Sequence, residues 1–181
     1  MPHVETANGP SGINRPLAQW PDTGAVLTQL AETLLRCGEP PIGRGERELI
    51  ATYVSELNHM RFCSDSHNAF AAAQLEGGAD LVRAVLADAA APVPSLLKAL
   101  LRIAAQVQAQ AQAQPVSHEA IAAAPAEGAT DRHNHDTVLI AAAFCMLNRY
   151  VNALATELPS DPPYYRTAAD RIVNRGYQTA R

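Results

Sequence analysis

Cys63 and His67 stand four residues apart within ERELIATYVSELNHMRFCSDSHNAFAAA, residues 46–73. On a helix that spacing puts a thiol and an imidazole on one face, one turn from each other. A histidine so placed can take the thiol proton, and the resulting imidazolium stabilises the thiolate. Glu48 is the third candidate, on the preceding helical segment, and Asn58-His59 supplies a break that folds the second helix back against the first. Such a break sets Cys63 in the first turn of the new helix, where unpaired backbone amides and the helix dipole favour a thiolate. The chemistry these residue types could do is nucleophilic attack by sulfur, with a proton relay behind it. Each also has a plainer role. A lone helical cysteine is usually a small buried hydrophobe, and Glu48 near a helix start is favoured by the dipole alone.

The elements that must position these groups read as helices throughout. From Asp22, Val26, Leu27, Leu30, Ala31, Leu34 and Leu35 recur at helical spacing until Cys37-Gly38 and Pro40-Pro41 stop the pattern. The next helix spans about 44–57, with Leu49, Ile50, Tyr53, Val54 and Leu57 on its apolar face and Glu48 beside it. The helix carrying Cys63 runs from about Arg61 to Leu75 and stops at Gly77-Gly78. A short helix over 79–90 follows. A longer one opens at Pro92 and Pro94 and continues through the alanine- and glutamine-rich stretch to Pro115, because those residues form helix better than strand. A small helix over 117–124 precedes a strongly apolar one over 136–156, and a last helix spans 164–177. Residues 1–20, rich in Pro, Gly and Asn, read as an arm in which Trp20 either pins the arm to the body or covers a helix end, and residues 21–181 read as one all-α domain.

The stretch around Cys63 resembles the AhpD-like branch of the carboxymuconolactone decarboxylase family. That family's pattern is a glutamate, a Cys-x-x-Cys and a histidine four residues after the second cysteine. Glu48, Cys63 and His67 match it, and Met60 occupies the place of the first cysteine. The resemblance continues in DTVLIAAAFCMLNRYVNAL, residues 136–154, with its Asn148-Arg149 pair, and covers most of residues 20–177. It implies an all-helical AhpD-like bundle that assembles into trimers, hexamers or dimers. It also implies peroxidase or thiol-disulfide chemistry without a cofactor, in which the glutamate and histidine pass a proton to and from the cysteines. A thioether at Met60 can neither ionise nor close a disulfide, so Cys63 would need another thiol, supplied externally or by Cys145.

Other residues carry weaker signals. His59 is a second candidate for lowering the thiol pKa or an exposed residue of the connection. His135 could reach the site from the later helix, and His133 and His135 at i, i+2 read as a polar helix start rather than a metal site. Glu48, Cys63 and His67 would suit zinc as ligand types, but thiol activation is the simpler use, and no metal is expected. Arg149, a charge in an apolar helix, calls for a carboxylate partner or a subunit contact. Cys37 reads as structural. The net charge of −4 without a dense basic run argues against nucleic acid. Three scattered cysteines argue against a disulfide framework and for a reducing cytoplasm. No apolar run reaches membrane-spanning length, and no secretory leader is visible.

Three functions follow. The first is a thiol peroxidase or disulfide oxidoreductase acting on a hydroperoxide or a disulfide partner, with a thiol reductant. The second is a non-redox, decarboxylase-like enzyme using His67 and Glu48 on a small carboxylated substrate. The third is a binding or assembly protein whose site has decayed.

Overall fold

In the computed structural model, residues 3, 12–36, 41–88, 91–110, 115–156, 158–159 and 161–178 are described. Among them the secondary structure is helical: α1 (Asn14–Gln19), α2 (Pro21–Arg36), α3 (Arg44–Leu57), α4 (Arg61–Ala72), α5 (Gly78–Ala87), α6 (Ser95–Ala109), α7 (His118–Ala123), α8 (Asp131–Ala153) and α9 (Pro162–Arg175), with a 3₁₀ turn at Ala124–Glu127 after α7. Helices α3 and α4 form the central antiparallel hairpin. α8 and α6 pack on the side of α3, and α9 and α5 pack on α4.

The principal core draws Leu35, Leu49, Ile50, Val54, Val82, Leu100, Ile103, Ile140 and Phe144 from α2, α3, α5, α6 and α8. Those of α2, α3, α5 and α6 are positions that helical periodicity assigns inward, whereas Val26, read with them, is exposed because α2 turns only its later half, around Leu34 and Leu35, into the core. A second, smaller cluster holds Met60, Phe62, Cys63 and Val151, with Ile13, Tyr164 and Tyr165 against it.

Local sequence explains the α3–α4 hairpin. His59 takes a left-handed backbone (φ 54°), Met60 N–H donates to Ser55 O at 2.9 Å, and His59 N–H donates to Glu56 O at 2.9 Å. This is the Schellman closure of a helix, with histidine where glycine is commoner. Asn58-His59 is therefore the break expected of it, and α4 starts immediately afterwards.

Several expectations are revised. Residues 14–19 of the expected arm form α1, which packs against α2 closely enough that a Cβ on Gly24 would lie 2.1 Å from Leu17 O. Trp20 caps α1, its backbone N–H donating to Pro16 O, and is 38% exposed, which fits cover for a helix end. α8 begins at Asp131, five residues early, because Thr130 and His133 build a capping box: Thr130 N–H donates to His133 Nδ1 at 3.0 Å. α8 is not buried on all sides either, since Leu139 and Met146 are exposed. The long helix ends at Ala109, and its expected tail over 111–114, like Cys37, lies outside the described residues.

Candidate active site

His67 and Glu48 meet in the interior. Glu48, on α3, is 1% exposed, and His67, on α4, is 9% exposed. His67 Nδ1 lies 2.6 Å from Glu48 Oε2. The ring sits edge-on to Phe144 and Phe70, with centroids 4.6 and 5.2 Å away. A buried carboxylate needs its remaining lone pairs satisfied. The Tyr177 hydroxyl does this, donating to Glu48 Oε1 at 2.6 Å while lying 3.4 Å from His67 Nδ1. With Nδ1–H donating to Glu48, the other ring nitrogen of a neutral His67 is left as the acceptor, the tautomer a general base requires.

Tyr177 was not foreseen as a site residue. It follows α9, where Gly176 (φ 84°) turns the chain back. The turn is held from α2: Tyr177 N–H donates to Glu32 Oε2 at 2.7 Å, Arg36 pairs with Glu32, and Arg36 also donates to the carbonyls of Ile172 and Val173 at the end of α9. Burial, then the charge of Glu48 and the hydrogen bond to it, hold the Tyr177 phenol well above its ordinary range. It therefore acts as a neutral donor.

Cys63 occupies the first turn of α4, as its spacing from the break requires. Its surroundings are not those of an ionised sulfur. It is 4% exposed, packed with Met60, Phe62 and Val151. Burial pushes the thiol up to about 12, and a hydrogen bond from the Asn148 side chain offsets only part of that. Among the described residues no hydrogen bond joins Cys63 to His67. The expectation that the helix start and the imidazole keep the sulfur ionised is overturned, because desolvation by the covering residues outweighs both.

The secondary candidates divide. Met60, at the N-cap of α4, is buried in the same cluster as Cys63, where its Cys-x-x-Cys register places it. Cys145 is partly buried rather than core. Asn58 donates to its sulfur at 3.7 Å and to Asn148 Oδ1 at 2.9 Å. Cys63 and Cys145 are both free and border one pair of side-chain amides. His59 is exposed, has a structural task in ending α3, and does not act on the thiol.

His135 does not approach the site. It is exposed and lies 3.0 Å from Asp136 Oδ1, in a cluster with Arg132 and Arg47 on another part of the α3–α8 contact. Arg149 is exposed and donates to Cys145 O, so it is not a charge within an apolar interior. The buried cation is Arg47, which the periodicity did not single out. It donates to Asp136 at 2.6 Å and to the carbonyls of Leu34 and Ile42. No group of three or more metal-ligating side chains with a suitable arrangement occurs among the described residues.

No family model and no curated protein matches the chain. Solved structures do. One is the alkylhydroperoxidase AhpD core structure of an uncharacterized peroxidase-related protein from Ralstonia eutropha. It is 22% identical with a TM-score of 0.73, over 86% of this chain and 78% of that one. Another is an uncharacterized peroxidase-related protein from a Silicibacter species, 25% identical with a TM-score of 0.72, over 83% and 76% respectively. The helix order, the α3–α4 hairpin and these two likenesses agree: the chain has the AhpD-like fold of peroxidase-related proteins.

Proposed function

We propose that this protein is a cysteine-dependent peroxidase-type oxidoreductase, with Cys63 as the reacting sulfur and His67, Glu48 and Tyr177 as its proton relay. The observation that carries the reading is the buried pair of His67 Nδ1 and Glu48 Oε2, 2.6 Å apart, one helical turn beyond a cysteine in a fold shared with peroxidase-related proteins. With the thiol up at about 12, roughly one molecule in 10⁵ carries a thiolate at pH 7. Attack therefore has to be coupled to removal of the proton by the free nitrogen of His67. The sulfur forms a bond to the terminal oxygen of a hydroperoxide as the O–O bond breaks, and the proton passes through His67 to the departing alkoxide. The products are a sulfenic acid on Cys63 and an alcohol. An external thiol then attacks the sulfenic sulfur with loss of water, and a second thiol releases Cys63 as thiol and leaves the reductant as a disulfide. Met60 leaves Cys63 without the motif's own resolving thiol, so the sulfenic acid is resolved by the external thiol or by Cys145. Glu48 and Tyr177 hold His67 in the required tautomer and act through it.

Assembly into dimers, trimers or hexamers belongs to the same proposal and is supported by Leu139 and Met146, 40% and 45% exposed on α8. A cytoplasmic setting belongs to it too. No helix among the described residues is long and apolar enough to cross a membrane.

One observation favours a second reading, acid-base catalysis on a small carboxylated substrate: the Glu48–His67–Tyr177 set is complete without the sulfur. One variant separates the two. Cys63→Ser is expected to abolish peroxide consumption in the presence of a dithiol reductant. Undiminished consumption in that variant sinks the thiol mechanism.

A further inference from the structure

Tyr177 joins the relay to a groove, although its hydroxyl is itself buried. Its hydroxyl is bound to Glu48, and the same residue lines an open groove of about 1610 Å³ between α9 and the α1–α2 pair. Two arginines of α9, Arg171 and Arg175, face this groove one helical turn apart. Neither has a hydrogen bond or ion pair with the described residues, whereas Arg36 and Arg47 are each paired with a carboxylate. Among the described residues Asp161 is the one acid on the groove wall. The remaining wall mixes apolar surface, from Leu17, Ala25 and Ala168, with neutral donors such as Asn14 and Gln29. Two cations at i, i+4 with no ion pair among the described residues, above a partly apolar floor, suit a ligand with a carboxylate head and a hydrocarbon body.

We propose that this groove is the substrate site and that Arg171 and Arg175 select an anionic substrate, an organic hydroperoxide that also bears a carboxylate. The proposal rests on the peroxidase reading for the reactive group, but not for the anion. The carboxylate pairs with the two guanidinium groups, and the chain lies along the groove toward Tyr177. Two residues of the groove wall connect it to the reaction centre: Tyr164, which packs on the cluster that holds Cys63, and Tyr177, which is bound to Glu48.

The test separates binding from turnover. Octanoate, an unreactive carboxylate, and octan-1-ol, its neutral counterpart, are titrated into the full chain by calorimetry. The chains compared are wild type, Cys63→Ser, the double variant Arg171→Gln/Arg175→Gln and the double variant Arg171→Lys/Arg175→Lys. Wild type and Cys63→Ser are expected to bind octanoate alike. The glutamine variant should bind it at least about tenfold more weakly, the factor for one lost charge-assisted hydrogen bond. The lysine variant should recover most of the affinity, and octan-1-ol should not distinguish the chains. Circular dichroism melts verify that the variants fold. Octanoate binding that is absent in wild type, or equal in wild type and the glutamine variant, overturns the groove assignment.

Turnover of a fatty-acid hydroperoxide and of its methyl ester gives the second readout. The glutamine variant should raise KM for the acid and lower the acid-over-ester preference in kcat/KM by at least about tenfold, and an unchanged preference overturns selection by the arginines. A wild type that binds octanoate through the arginines yet turns over neither hydroperoxide retains the anion site and refutes the peroxidase reading.

Discussion

A cysteine four residues before a histidine suggests an activated thiol, but here solvation decides. The residues that cover Cys63 come from well-separated parts of the chain: Ile13 ahead of α1, Val151 of α8, and Tyr164 and Tyr165 of α9. Their combined effect, up to about 12, exceeds what a helix terminus ordinarily lowers. Alkylation reports this directly. In a Cys37→Ser/Cys145→Ser background, iodoacetamide is expected to leave Cys63 almost unmodified at pH 7, with a rate that climbs tenfold per pH step toward about 12. Mass spectrometry of quenched time points gives the profile. A plateau reached near pH 8.5 would falsify the buried-thiol description.

At the level of elements, two ties hold the hairpin that carries the site. One is the Arg47–Asp136 pair between α3 and α8, with the two side chains 4% and 5% exposed. Burial would raise the Asp136 carboxyl, but hydrogen bonds from His135, Arg47 and Arg132, together with the charge of Arg47, hold it below its ordinary 3.8. A carboxyl depressed by folding stabilises the protein at pH above its unfolded value, and that contribution is lost as pH falls through the folded value. Asp136→Ala leaves a buried guanidinium without its carboxylate and is expected to cost about 3–5 kcal/mol in urea unfolding at pH 7. A loss under about 1 kcal/mol would show that the Leu34 and Ile42 carbonyls satisfy Arg47 alone.

The other tie is the hooked end of α9, where a Cβ on Gly176 would lie 2.5 Å from Glu32 Oε2. Neither tie was legible in the sequence. Arg47 and Asp136 are 89 positions apart and Tyr177 and Glu48 are 129 apart, and neither pair belongs to a local periodicity. What was legible is local: the Asn58-His59 break, the first-turn place of Cys63, the apolar faces of α3 and α6, and Glu48 facing His67 through the resemblance of their spacing. The polar helix start around His133 was legible too, but its capping box was not, because histidine does at His133 what glutamate or glutamine usually does there.

For the molecule as a whole, buried protons link the site to stability. Cys63 and Tyr177 both hold their protons to higher pH in the folded chain than in the unfolded one. Above pH 9 the unfolded chain therefore binds fewer protons, and stability falls as pH rises. The interval from 9.0 to about 12 on Cys63 corresponds to roughly 4 kcal/mol in all, about half of it lost by pH 10.5. Urea midpoints measured from pH 8 to 10.5 should drop accordingly, and less steeply in Cys63→Ala; identical slopes in the two proteins would locate the alkaline sensitivity elsewhere.

The hook after α9 carries one more consequence. The hydroxyl that completes the shell of Glu48 arrives from 129 positions downstream, on a short non-helical turn rather than on a packed helix. Truncation after Arg175 would remove that hydroxyl while sparing every described helix. A chain so shortened would keep its scaffold, yet it would admit water to an acid that the intact protein keeps dry.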